Sequence, residues 1–152
     1  MSIAHLPLRA GVWKGNPIQT PILFTDAQYI YGGWSGRFFT FSSGLAVICG
    51  STTQTIAGWA EWQTDDSTSS ITAPSIVYDS ATQFVLPCYT GTAYAASYVG
   101  SCVDLIVASN IQYAYLAQST HDLLIVVGGH VGTGASDSYV IVQMNPNEFY
   151  RG

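Results

Sequence analysis

What most constrains this chain is its punctuation. Short runs of β-branched and aromatic residues recur along almost the whole length, and Gly, Asn, Asp or Ser breaks them about every 8–12 residues. The runs include PILF (Pro21–Phe24), AQYIY (Ala27–Tyr31), RFFTFS (Arg37–Ser42), LAVIC (Leu45–Cys49) and TIAGWAEWQ (Thr55–Gln63). They continue through SIVYD (Ser75–Asp79), QFVLPCY (Gln83–Tyr89), VDLIVAS (Val103–Ser109), QYAYLAQ (Gln112–Gln118), LLIVVG (Leu123–Gly128) and SYVIVQMN (Ser138–Asn145). None sustains a 3.6-residue period, and each has the length of a strand. The pattern predicts an all-β fold, a small antiparallel β-barrel or sandwich in one or two sub-blocks. Thr92–Gly100 can form one helical turn before Gly100 stops it, so less than about one-tenth helix is expected.

Two regions depart from this pattern. Residues 1–25 hold Pro7, Pro17 and Pro21, with Leu6, Leu8, Val12, Trp13 and Ile18 strung between them. Three prolines forbid a regular ladder here, yet these apolar side chains favour burial, so the segment reads as an extended N-terminal arm that takes no ladder positions. Residues 26–152 then form the β core. The polar stretch Thr64–Ser75, with the acidic pair Asp65-Asp66, reads as a loop or linker dividing that core into sub-blocks 26–64 and 76–145. No internal repeat is evident between the two.

Charge excludes several function classes. Charged residues make up 9% of the chain, against roughly 25% in an average soluble domain. The only basic residues are Arg9, Lys14, Arg37 and Arg151, and the net charge is −5. Binding a phosphate backbone draws on several cations, so no nucleic acid partner is expected. No apolar run approaches the 18 or more residues of a membrane-spanning helix, and no membrane partner is expected either. Pro7 and Arg9 interrupt the place where a signal peptide carries its apolar core. With little charge and many aromatic groups, the surface has the composition of a protein–protein interface core.

Little in the sequence points to chemistry. His121, Asp122, His130, Ser136 and Asp137 cluster in one stretch, but Ser138 stands where a G-x-S-x-G elbow needs glycine. The run GGHVGTG has neither dinucleotide-binding spacing nor a P-loop lysine. Gly132–Asp137 reads more simply as a hairpin loop. Cys49, Cys88 and Cys102 form no Cys-x-x-Cys pair; they are read as buried thiols, or as one free thiol beside a Cys88–Cys102 bridge. No catalytic set, metal site or cofactor is expected.

One passage carries a resemblance. A short strand from Gly44 to Ala46 is followed by the charge-free turn Gly50-Ser51-Thr52-Thr53 and then by Ile56, Gly58, Trp59 and Ala60. On these residues the chain resembles head decoration and cement proteins of tailed bacteriophages. Further on, Val99, Gly100, Asp104 and Leu105 are similar to a strand-opening pattern in phage virion proteins. With the two-residue alternation of a strand, Ile56, Gly58 and Ala60 face one side and Ala57, Trp59 and Glu61 the other.

The resemblance implies a non-enzymatic virion protein, made in the host cytoplasm, that binds the outside of a phage head. Its partner is then the major capsid protein of HK97-like fold, its assembly a homotrimer, and its ligand none. The side chains expected at the protein interface are Leu6, Leu8, Val12, Trp13, Ile18, Trp34 and Trp59. Two alternatives stand beside it. One is another virion role, as a minor capsid, tail or head–tail joining protein. The other is a carbohydrate-binding β module of a tail or adhesin, with Trp13, Trp34, Trp59 and Trp62 as a sugar platform.

Overall fold

The structure is a computed structural model, and it describes residues 11–25, 37–60, 72–89, 91–108, 111–132 and 138–152. Of the described residues 54% lie in strands and 5% in helix. The strands are β1 (Gly11–Lys14), β2 (Thr20–Leu23), β3 (Arg37–Ser42), β4 (Leu45–Ile48), β5 (Gly58–Ala60) and β6 (Thr72–Val77). They continue as β7 (Gln83–Pro87), β8 (Cys102–Ala108), β9 (Ile111–Tyr115), β10 (Leu124–His130) and β11 (Tyr139–Met144). Single 3-10 turns at Ala96–Tyr98 and Pro146–Glu148 are the helical part. Two antiparallel sheets pack on each other as a small sandwich, and neither closes into a barrel.

The sheets share one topology. The first runs β2-β6-β5-β3-β4; the second runs β7-β11-β10-β8-β9, with β1 added outside β7. Each sheet coils until its first and third strands touch at a single parallel bridge, Phe24 to Ala46 in one and Cys88 to Ala114 in the other. The local bonds repeat as well. Thr25 N–H donates to Ala46 O as Tyr89 N–H donates to Ala114 O, and Tyr78 N–H to Ala57 O as Asn145 N–H to Leu123 O. A polar latch ties the second strand to the loop before the fourth in both. It is Thr40 Oγ1 to Thr55 Oγ1 at 2.7 Å in the first sheet. In the second, Asp104 Oδ1 accepts from His121 N and Asp122 N at 2.9 and 2.8 Å. The duplication is invisible in the sequence because matched positions carry different side chains; Ala46 and Ala114 are an exception.

Two expectations about the chain's organisation change here. The arm does take ladder positions: β1 pairs with β7, and β2 pairs with β6. Proline is compatible with an edge strand, and β1 and β2 are both edges. The stretch read as a linker is strand from Thr72 onward, so β6 completes the first sheet. Residues 1–10 and the Asp65-Asp66 pair lie outside the described residues.

Burial on both faces distinguishes the first sheet. Phe38, Trp59 and Ile76 are register partners across β3, β5 and β6, and all three join the inter-sheet core with Phe84, Leu86, Val126 and Val142. The neighbouring row, Phe39, Gly58 and Val77, belongs to the opposite face, where Phe24, Ala46, Ala57, Ala60 and Ala73 fill the inside of the coil. A strand covered on both sides loses its polar alternation, which is why RFFTFS is so apolar. Gly58 is required here, because a Cβ would strike Ile76 O and come within 2.8 Å of the Phe39 ring. Alternation also slips once. Ile56 sits with Trp59 in the inter-sheet core rather than sharing a face with Gly58 and Ala60, since Ala57 N–H already bonds Phe39 O before Gly58 pairs with Phe39.

The hairpins meet their turns by local chemistry. Ser43 and Gly44 both have positive φ, +53° and +82°, as a two-residue type I′ hairpin demands. The charge-free turn after β4 satisfies itself: Gly50 N–H donates to Thr53 Oγ1 at 2.9 Å and Thr53 N–H to Gly50 O at 3.1 Å.

One side chain splices the sheets together. Beyond the pair opposite the bridge, the β3–β4 hairpin adds only Ser42–Leu45, whereas β8–β9 adds Ile106–Tyr113, Val107–Gln112 and Ala108–Ile111. The extension carries Gln112 to the first sheet. There its Oε1 accepts from Phe38 N at 2.8 Å, and its Nε2 donates to Phe38 O at 3.1 Å and to Cys49 O at 3.0 Å. The amide thus takes a place in the ladder between β3 and the end of β4. Gln112→Ala leaves Phe38 N–H and Cys49 O buried without that partner, at roughly 1–3 kcal/mol each. Urea unfolding should show a loss of about 2–4 kcal/mol with little change in m-value; a loss under about 0.5 kcal/mol would show the splice to be dispensable.

The crossover between the sheets, Tyr78–Thr82, is pinned by Asp79. Partial burial pushes its carboxyl pKa up, but hydrogen bonds from Thr82 N, Thr82 Oγ1 and Ala81 N outweigh that and hold it below its ordinary value. A folded-state pKa below the unfolded one stabilises the fold fully above the ordinary carboxylate range, near pH 4, and the gain is lost as pH falls through the depressed value. Asp79→Asn should therefore cost stability at pH 7, by about 1 kcal/mol. The gap from wild type should narrow steadily below about pH 4; a gap independent of pH would contradict this account.

Candidate functional site

The described part of the N-terminal segment runs from the edge of one sheet to the edge of the other. On β1, Val12 lies opposite Phe84 and Lys14 opposite Gln83, so Trp13 is the extra residue of a β-bulge. A bulge re-aims a side chain. Val12 packs on the inter-sheet core while Trp13 turns outward, 53% exposed. Gly15 follows at φ +133°, where a Cβ would stand 3.1 Å from Thr82 Oγ1. The chain then passes Pro17 and Ile18, which is 86% exposed, and enters β2, where Leu23 is also exposed.

Trp13 has company on the outer face of the second sheet. Its ring centroid lies 6.0 Å from that of Tyr139, which stacks on His130 at 5.3 Å with 19° between the planes. His130 and Tyr139 are register partners at the end of the β10–β11 pairing, and Val131 beside them is exposed. The result is a string of rings and aliphatic groups from β1 to β10. Cross-strand neighbours such as Tyr139 and His130 depend on register, which no single segment of sequence states.

The expected interface residues fare differently. Trp13 and Ile18 are exposed, and Val12 is partly buried against the core. Leu6, Leu8 and Trp34 lie outside the described residues. Trp59 is the correction: it is fully buried, with its ring 4.8 Å from Phe38 and 5.1 Å from Phe84. Turn-flanking position suggested a surface ring, but β5 is a central strand covered on both faces.

The described side chains hold little reactive chemistry. Among them no group of three or more His, Cys, Asp and Glu could hold a metal ion. Cys49, Cys88 and Cys102 are free thiols. Burial pushes Cys49 far up and Cys88 to about 11, the latter despite a hydrogen bond at Tyr94. Cys102 is raised by burial and then by Asp122 and Glu148. All three stay protonated at neutral pH, and the thiol is the unreactive form. Comparison with known proteins returns nothing: no family model, curated protein or solved structure matches the chain.

The two tryptophans should separate cleanly in mutants. Trp59→Ala should cost about 3–5 kcal/mol, the range for emptying a packed aromatic site, and Trp13→Ala less than about 1 kcal/mol, as for an exposed residue. Thermal unfolding of both variants checks this; comparable losses would mean that Trp13 is a core residue too.

Proposed function

We propose that this chain is a non-enzymatic structural protein of a tailed-phage virion, bound to the outside of the head and stabilising the shell. The partner is the major capsid protein of HK97-like fold, and the working form is a homotrimer on the capsid surface. The observation that carries the reading is the stretch from Trp13 to Leu23, which presents Trp13, Ile18 and Leu23 to solvent on a chain with 9% charged residues. A bulge that turns a tryptophan outward, beside an almost fully exposed isoleucine, supports a contact with another protein surface. With few charges, such a contact rests on apolar burial and is insensitive to salt.

The sugar-platform alternative loses one of its four rings, because Trp59 is in the core. Of that set, Trp13 alone is a described and exposed ring.

The test is co-sedimentation with empty heads built from a major capsid protein of HK97-like fold. Binding that survives molar salt, and weakens at least tenfold in a Trp13→Ala, Ile18→Asp double variant of wild-type stability, is the expected result. No binding to heads, or binding to a glycan array instead, would overturn the proposal.

A further inference from the structure

The two sheets treat the same strand edge in opposite ways. In the second sheet Tyr89 N–H points to Ala114 O, away from β11. Backbone groups along a strand alternate sides, so Val85 presents its N–H and C=O on that same side. That is where β1 lies, with Gly11 opposite Val85. In the first sheet Thr25 N–H points to Ala46 O, away from β6, so residue 21 presents its backbone to the outer edge of β2.

Residue 21 is proline, and it stands three residues before the bridging Phe24 as Val85 stands three before the bridging Cys88. A second observation gives the same orientation. Pro21 lies opposite Pro74 of β6, and two prolines can face each other only where the pair exchanges no N–H···O bonds. The position that accepts a strand through Val85 N–H in one sheet therefore has no N–H in the other.

We infer that Pro21 shuts a strand-accepting edge, and that the strand it refuses is the β2 of a second copy of this chain. Thr20–Leu23 carries no charge, and among the described residues β6 is the one strand that pairs with it. Edge strands are kept from self-pairing by lysine, proline or a bulge. In β2 the proline is the one such device. An antiparallel β2–β2 pair is self-complementary about a two-fold axis, so one interface serves both copies.

Pro21→Val in the full chain, which copies Val85, restores the missing donor. Sedimentation at tens of micromolar should give about twice the wild-type mass, as expected for one added two-fold contact. Backbone amides of residues 20–23 should exchange more slowly in the larger species. Val85→Pro is the reverse test and stands apart from the first. It should release β1, so that amides of residues 11–14 exchange at least tenfold faster while β8–β11 stay protected. If Pro21→Val does not fold, Pro21→Ala restores the same donor and carries the same expectation. Wild-type mass in a folded Pro21 variant, doubled mass without slower exchange at 20–23, or a still-protected β1 in Val85→Pro would each overturn the inference.

Discussion

Phe38, Trp59 and Phe84 meet where the two sheets join, and the rest of the structure depends on that contact. Phe38 lies edge-on to Trp59 and to Phe84, at 4.8 and 5.0 Å and 72° in each case. Two of the rings come from the outside of the first coil and one from the inside of the second. The seam therefore converts one sheet's outer surface into the other's core lining. It also sets a steric limit on the first sheet, whose inner face must fill with Phe39 and small residues such as Ala57, Gly58 and Ala60. Trp59 Nε1 finds no hydrogen-bond partner among the described residues. The ring contributes shape and apolar area, enough to offset a buried N–H that costs about 1–3 kcal/mol.

Repeated topology is then completed by unequal additions. The N-terminal β1 adds to the second sheet at β7. The C-terminal end returns to the first, where Ile56 N–H donates to Glu148 O and Tyr150 N–H to Ile56 O, both at 2.9 Å. Phe149 and Tyr150 close over Tyr78 and Phe41 there. Each chain end thus covers the unit built mainly from the other half of the chain. With Gln112 between them, the two units are held by strand, tail and side-chain amide.

Much of the candidate surface was legible, but only as a list of side chains. Trp13 and Ile18 stand out in the sequence as large apolar residues set among prolines. Their exposure follows from the bulge at Trp13 and from the run between two sheet edges. Trp59 misled because a tryptophan after a polar turn looks the same whether its strand is an edge or central. Tyr139 and His130 escaped notice as a pair since they stand nine positions apart and only the β10–β11 register brings their rings to 5.3 Å.

The all-β class and the strands of the central runs were determined by the sequence alone, because β-branched and aromatic runs with turn residues at short intervals have no competing helical period; β1 and the start of β6, written among prolines and polar residues, were not. The two-residue turn at Ser43-Gly44 belongs to the same class of local decision. Sheet order, the duplicated coil and the splice at Gln112 were decided by tertiary structure. Each depends on which strand lies beside which, and that is settled by side chains far apart in the chain, Gln112 and Phe38 being 74 residues apart. A local sequence pattern records which face of a strand wants burial; it does not record what will bury it. Pro21 and Val85 illustrate the difference: as residues they are an edge proline and a core valine, and only the matched topology makes them two answers to one question.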